Sequence, residues 1–362
     1  MNVKYIFLIN NKSGSRKGKE MKELLSNNEI NTFDIYELSK TEKLQDELNK
    51  LINKETIICI CGGDGSISWA CSIINKCTTL NPRICVVPMG TGNDLSRTLG
   101  WGIKNLSYDK TIQLLEKIKI CIRLGRFSEI DWWNIEYLDC NIEHIQHLPT
   151  KMLCYMSVGY DAKITQHYQA DRNKNPEKFN SQIYNKLMYI KHGIKEFFKQ
   201  SKKISNKIKL FCDEEEISLP NNCRSLKLLN INSAAAGIFF WGNKSEKQFE
   251  EPVLNDNKIE IVSSFGVYNL LCMNTGLLST KRIKQSSETI ICIENGMYIQ
   301  IDGEGFKMPK CKIRVSRFKQ IPIVVGYKKT LGVFHMDNSY KTVQYAIKEY
   351  KKDYWKVKDK NI

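Results

Sequence analysis

No stretch of the chain approaches the ~18 consecutive apolar residues a membrane-spanning helix needs. The opening run Val3–Ile9 is too short for a signal-peptide core with a cleavage site, and polar Asn10-Asn11-Lys12 follows at once. It reads as a strand. The thirteen cysteines are scattered and odd in number, without a single C-x-x-C, and the tightest pair, Cys59 and Cys61, sits inside one apolar strand pattern. A zinc cluster or a disulfide framework is therefore not expected, and reduced thiols in a cytosolic compartment are the better reading. A G-x-x-x-x-G-K-[ST] phosphate loop and internal repeats are also absent.

Acidic residues are the scarcer charge: 39 Asp and Glu face 55 Lys and Arg, a net +16. Residues 181–210 carry eight Lys against Glu196, and residues 338–362 carry seven Lys against three acids, so these two stretches hold eleven of the sixteen. Such a surface favours phosphates without choosing among nucleotides, nucleic acids and acidic lipids. The 362 residues suit two domains, and 42% hydrophobic with 26% charged residues excludes wholesale disorder.

Up to about residue 120 the chain alternates short apolar strands (Tyr5–Ile9, Thr32–Leu38, Thr56–Cys61, Arg83–Val87) with helical patterns (Ser15–Leu25, Leu44–Ile52, Ser66–Cys77, Leu95–Leu99, Thr111–Ile118). That order predicts a doubly wound, mainly parallel sheet. Beyond about 122, strand patterns follow one another: Ile130–Tyr137, Met152–Val158, Lys207–Phe211, Ser225–Ile231, Lys258–Val262, Thr289–Ile293, Met297–Ile301 and Lys312–Val315. One basic helical stretch, near 181–203, interrupts them. The expected class is α/β + β, an N-terminal doubly wound α/β domain with a C-terminal β-sandwich. The expected divisions are 1–125, 126–330 and a basic amphipathic tail, 331–362. In that tail Tyr340, Val343, Ile347, Tyr350 and Tyr354 share a helical stripe, which would suit an anionic bilayer surface.

Three glycine-centred loops follow strands in the first half: Asn10 to Ser15 with Ser13 and Gly14, Cys61 to Ser66 with Gly62, Gly63, Asp64 and Gly65, and Pro88 to Asp94 with Gly90, Thr91, Gly92 and Asn93. Glycines let backbone N–H groups approach an anion, and carboxyl ends of strands are where open α/β sheets bind ligands. None is a G-x-G-x-x-G dinucleotide fingerprint. An acid inside a phosphate turn repels bare phosphate, so Asp64 makes sense with a metal ion beside it, Mg²⁺ with its waters. Asn93 and Asp94 also suit N-caps of the helix that follows. Farther on, Tyr298 to Glu304 ends a strand in an acidic Asp302-Gly303 turn, a hairpin signature.

Cys61-Gly62-Gly63-Asp64-Gly65-Ser66-Ile67-Ser68-Trp69 and Pro88 through Gly102 (PMGTGNDLSRTLGWG) resemble the GGDG(T)-x-x-W and GTGNDLAR-x-x-x-WG motifs of eukaryotic-type diacylglycerol kinases. Ser157 to Ala162, Asn175 to Ser181, Lys186 to Tyr189, Trp241-Gly242 and Gln300 to Glu304 are similar to that family's accessory segments in the same order. The resemblance spans about 5–325. Ser66 stands where Thr is usual, Asn11 where Pro is usual, and Gly305-Phe306 where Pro-Trp is usual. No zinc-finger or Ca²⁺-loop regulatory pattern accompanies it.

The resemblance implies a lipid-kinase/NAD-kinase-like fold and transfer of the ATP γ-phosphoryl to diacylglycerol in a membrane. By it, Asn10, Ser13, Gly14, Gly62 to Ser66 and Thr91 cradle ATP, with Gly90, Gly92, Asn93 and Asp94 shaping the same wall. Asp64 holds Mg²⁺, Glu304 is the general base, and Asp302 orients or assists it. A cytoplasmic enzyme that meets an anionic lipid surface peripherally is expected. Kinases of sphingoid bases, ceramide or monoacylglycerol, and a non-catalytic binding protein on this fold, remain open at this point. Nucleic acid is not an expected partner, because charge alone suggests it and no recognition module is present.

Overall fold

The computed structural model describes residues 3–11, 17–27, 30–90, 92–102, 108–140, 147–179, 184–185, 187–189, 191–193, 203–242, 246–266, 280–328 and 347–348. In chain order the first half is β1 (Lys4–Ile9), α1 (Lys17–Ser26), β2 (Asn31–Asp34), α2 (Ile35–Lys40), α3 (Glu42–Leu51), β3 (Thr56–Gly62), α4 (Asp64–Cys77), β4 (Arg83–Pro88), α5 (Asp94–Thr98) and α6 (Tyr108–Arg123). Then come β5 (Phe127–Leu138), β6 (Lys151–Met152), β7 (Tyr155–Gly159), α7 (Tyr160–Lys174), β8 (Ile208–Cys212), β9 (Glu215–Ile217), β10 (Ser225–Leu229) and β11 (Ile259–Ser264). The described strands end with β12 (Lys281–Ser286), β13 (Glu288–Ile293), β14 (Met297–Ile301), β15 (Glu304–Met308) and β16 (Cys311–Val324).

β2, β1, β3 and β4 pair in parallel, and β3 is buried along its whole length, as its Ile- and Cys-rich run demands of a strand covered on both faces. The sheet does not stop there. β16 joins β4 in parallel through Ile323 and Ile84, and runs antiparallel to β13 and β5, so one ten-stranded sheet crosses both halves of the chain. A second, antiparallel sheet has the order β12-β11-β10-β7-β14-β15. Met156, Val158, Leu228, Ile261 and Ile299 of this sheet meet Ile135, Leu210, Ile291 and Ile313 of the first in one buried cluster, which is the sandwich core. The α/β plus β-sandwich class read from the sequence is the one found.

Three departures from the sequence reading have local causes. The alternating Thr32–Leu38 stops being a strand at Asp34, whose carboxylate accepts the amides of Tyr36 (2.8 Å) and Glu37 (3.1 Å) and starts a helix. The single strand expected over Met152–Val158 is broken at Leu153-Cys154, whose amides bond Asp302 instead of a neighbouring strand. Lys312–Val315 is the start of the fourteen-residue β16. The basic stretch near 181–203 is described as helical only at 184–185, 187–189 and 191–193, and the rest of it lies outside the described residues. So does the tail 331–362 apart from Ile347 and Lys348; Ile347 is buried with the α/β core.

Candidate active site

Parallel register sets Ile9 beside Cys61 and Gly62 beside Pro88, so the loops after β1, β3 and β4 lie next to one another. The Asn10 amide donates to the Cys61 carbonyl and the Met89 amide to the Gly62 carbonyl, both at 3.0 Å, while Asn10 Nδ2 donates to Ser66 Oγ at 2.8 Å. Gly63 and Gly90 meet backbone to backbone: a Cβ on Gly90 would stand 2.4 Å from the Gly63 Cα. These two glycines are required by contact between loops before any ligand is considered. Ser13, Gly14 and Thr91 lie outside the described residues.

α4 opens at Asp64, two residues before the sequence pattern suggested, so Asp64, Gly65 and Ser66 form its first turn. Their amides have no intrahelical acceptor, and the aligned peptide dipoles of a fourteen-residue helix make that end favourable for an anion. Asp64 itself faces α5. Its Oδ2 accepts the Asp94 amide (2.9 Å) and its Oδ1 the Leu95 amide (3.0 Å), so it caps a helix that is not its own. Asn93, in the left-handed region at φ 52°, closes the loop onto Gly90 in both directions (2.8 and 2.9 Å) and leaves that capping to Asp64.

Asp94 holds a different segment. Its Oδ1 accepts Ser233 Oγ (2.5 Å) and the Gly237 amide (2.8 Å), and its Oδ2 the Ala236 amide (2.9 Å). The run Ser233-Ala234-Ala235-Ala236-Gly237 is thereby wrapped around one carboxylate, with Ala235 and Ala236 at positive φ. Sequence reasoning passed over this run, although five small residues in a row are a signal of close backbone approach. Burial, chiefly, and the neighbouring Asp94 push the Asp64 carboxyl up to about 7, against the pull of the two amides; Asp302 adds in the same direction.

The hairpin β14–β15 turns through Asp302 and Gly303 at φ 48° and 90°, the geometry an Asp-Gly pair is suited to. Asp302 is buried and fully engaged: Oδ2 accepts the Leu153 amide (2.8 Å), Oδ1 those of Cys154 (2.7 Å) and Tyr155 (3.1 Å), and the Ser68 hydroxyl of α4 bonds it too. Of the two roles the resemblance implied for it, orientation is the one this bonding fits. Glu304 opens β15 with its side chain toward α4, its Oε1 3.7 Å and Cγ 3.8 Å from where a Cβ on Gly65 would stand. A Cβ at 65 would touch the acid at ordinary contact distance and press more closely, at 3.3 Å, on the Asp302 carbonyl oxygen. Burial raises the Glu304 carboxyl above the ordinary glutamate value, and Arg172 from the last turn of α7 acts the other way.

Where the family pattern has Pro, Gly305 donates its amide to Gln169 Oε1 (2.9 Å), and a Cβ there would fall 2.5 Å from the Gln166 backbone nitrogen. The substitution thus goes with close packing of β15 on α7, and the two-residue turn is kept.

Among the described residues no group of three or more His, Cys, Asp or Glu could hold a metal ion by itself. The donors nevertheless fit Mg²⁺ arriving with a nucleotide. Each Asp64 oxygen has a second lone pair beyond the amide it accepts, and Mg²⁺ keeps most of its waters and takes one or two carboxylates plus phosphate oxygens.

Two glycine loops lie against a helix N-terminus, with a carboxylate on a hairpin from the other sheet beside them, in an α/β sheet closed by a sandwich. Family models of the diacylglycerol kinase catalytic domain and the diacylglycerol kinase accessory domain match residues 4–126 and 151–305. The chain belongs to the diacylglycerol kinase family. It is 28% identical over 322 residues to diacylglycerol kinase 1 of Arabidopsis thaliana, covering 87% of this chain and 44% of that protein. To human diacylglycerol kinase zeta it is 28% identical over 343 residues, 90% of this chain and 36% of the relative. The chain therefore spans less than half the length of these curated relatives. A solved structure of a candidate diacylglycerol kinase from Bacillus anthracis shares the fold with a TM-score of 0.55 at 15% identity, over 89% of this chain and 97% of its own. Among the described residues, no helix is long and apolar enough to cross a membrane.

Proposed function

We propose that this chain transfers the γ-phosphoryl group of MgATP to the free hydroxyl of a 1,2-diacylglycerol, giving phosphatidic acid and ADP, at the cytoplasmic surface of a membrane. The observation that carries the reading is Glu304 beside Gly65: a carboxylate aimed at the first turn of the phosphate-binding helix by a hairpin that Asp302 anchors. In this reading Asn10, Gly62 to Ser66 and the Gly90–Asp94 loop receive the nucleotide phosphates, joined by Ser13, Gly14 and Thr91. Asp64 takes the metal that enters with ATP, and that metal supplies neutralisation of phosphate charge.

Glu304 accepts the proton of the lipid hydroxyl. The freed oxygen bonds the γ-phosphorus as the bond from that phosphorus to the β–γ bridging oxygen breaks, and ADP leaves with the electron pair. Because the transition state of phosphoryl transfer is loose, holding and neutralising the phosphates matters more than the base.

A mixed-micelle assay with Mg²⁺ and γ-labelled ATP tests this, offering diacylglycerol, sphingosine, ceramide and monoacylglycerol side by side with Asp64→Ala protein as blank. Labelled phosphatidic acid that vanishes in the variant is the expected result. Label on another of the lipids keeps the chemistry and changes the substrate. No label on any of them, from folded protein that binds ATP, removes the kinase reading.

A further inference from the structure

β16 and β5 change register between Arg317 and Lys319, so Phe318 is the extra residue of a β-bulge, 42% exposed on an otherwise regular ladder. Bulges re-aim a side chain, and this one pushes a lone aromatic outward. Two cations frame it. Lys151 Nζ lies 4.1 Å from the Phe318 ring centroid, and Lys319 Nζ 5.7 Å from the ring of Trp132, which meets Phe318 edge-on at 5.3 Å. Arg317 is already paired with Asp131 (3.2 Å); Lys151 donates to Asn134 Oδ1 (2.7 Å), and neither it nor Lys319 forms an ion pair with a carboxylate among the described residues. Burial lowers the pKa of both lysines.

Beside the bulge is a shallow, open depression of about 20 Å³, room for little more than a water, lined by Cys71, Ile74, Leu80, Trp132, Lys319 and Ile321 among others, without a carboxylate. Trp132 is 1% exposed, and its indole N–H has no hydrogen-bond acceptor among the described residues. Leu80, on the rim, is 38% exposed. Lys151 and Lys319, neither of them ion-paired with a carboxylate among the described residues, beside exposed Phe318 and Leu80, suit a surface that is anionic and apolar at once. A bilayer surface offers phosphate and carboxylate oxygens at the depth where aromatic and aliphatic side chains insert.

We propose that the Phe318 bulge, with Lys151, Lys319 and the depression beside them, is a docking edge for the surface of an anionic phospholipid bilayer. The inference rests on the lipid-kinase reading for its purpose and adds the face that meets the membrane. Lys151 stands two residues before Leu153, whose amide holds Asp302, while Leu80, Asn81 and Pro82 line the end of β4 opposite the Gly90 loop. The docking edge is therefore joined, through the Leu153 amide, to the hairpin that carries Glu304.

Sedimentation with vesicles of phosphatidylcholine alone, or with about one-third phosphatidylserine, tests this on the full chain without turnover. Wild type is expected to bind the anionic vesicles preferentially, and less as salt is raised. Phe318→Ser with Lys319→Gln should lower the affinity for anionic vesicles about tenfold or more. Lys319→Arg should restore most of the charge-dependent part, and a charge-matched Lys43→Gln variant should bind as wild type does. Thermal melts establish that each variant is folded, and Lys319→Gln alone serves if the double variant is not.

Unchanged binding in the folded variants, equal binding of wild type to neutral and anionic vesicles, or no binding overturns the proposal. So does a mass doubling in light scattering that Phe318→Ser abolishes, which would give the edge to a second copy of the chain. Failure of the lipid-kinase reading shows separately, as absence of labelled product from wild type in detergent micelles.

Discussion

Replacing Asp302 by Asn keeps the size of the side chain but turns a donor amide toward the N–H groups of Leu153, Cys154 and Tyr155. Hydrogen bonds to a charged acceptor are worth about 1.5–3 kcal/mol each, and not all are lost, so we expect a destabilisation of ~2–4 kcal/mol in chemical denaturation. The hairpin would also lose its aim, with kcat down by ~10²-fold or more. Glu304→Gln should separate from it cleanly. The fold stays intact and kcat falls ~10²–10⁴-fold, less than for Asp64→Ala. As the proposed base Glu304 would act when deprotonated, and burial raises its carboxyl, so the rate is expected to climb with pH through a midpoint above the ordinary glutamate value. A pH–rate profile in which Glu304→Gln retains that acid limb would remove Glu304 from the role of base. At this scale the sequence displayed Asp64, Asn93, Asp94, Asp302 and Glu304 as residues, but not what their atoms do. Asp64 capping α5 and Asp94 gathering Ser233 to Gly237 join positions 30 to 143 apart in the chain, beyond the reach of any local pattern.

Among the elements, those with apolar periodicity were legible and those held by tertiary bonds were not. β1, β3 and β4 announce themselves because buried parallel strands need unbroken apolar runs. α7 does not, since its buried residues crowd into its first six positions, Tyr160 to Thr165, and the remainder is mostly polar. The break between β6 and β7 was invisible for a related reason: Leu153-Cys154 is apolar enough for a strand, and only the Asp302 carboxylate diverts its amides. α7 and β15 supply a test of how far the family pattern constrains this chain. Gly305→Pro restores the residue usual in the family, yet removes the N–H that reaches Gln169 and drives a ring into the backbone at Gln166. A loss of about 3 kcal/mol is expected, with activity falling alongside because Glu304 is the preceding residue. A Gly305→Pro protein with wild-type melting and turnover would show that the close contact of β15 with α7 does not matter.

For the whole molecule, the consequential strand is the one the sequence showed least of. β16 pairs with β4 on one side and with β13 on the other, and lies along nearly the full length of β5, so the parallel sheet of the first half has no free edge at β4. Its later residues Ile321, Ile323 and Val324 are buried in the α/β core, and its earlier residues Ile313 and Val315 in the sandwich core. A division of the chain near residue 125 assigns the whole of β16 to the second unit, while its later residues pack in the core of the first. Loss of either core must then fray the strand that completes the other, and calorimetry is expected to show one transition whose calorimetric and van't Hoff enthalpies agree. Ile323→Ala leaves a cavity in the α/β core and should cost ~2–5 kcal/mol. Its particular signature is that probes in both halves shift together. Engineered fluorescence reporters near Ile74 and near Ile291 would report the same lowered midpoint. If the reporter near Ile291 melts at its wild-type temperature while the other drops, the two halves are independent, and β16 is a clasp between them rather than a shared beam.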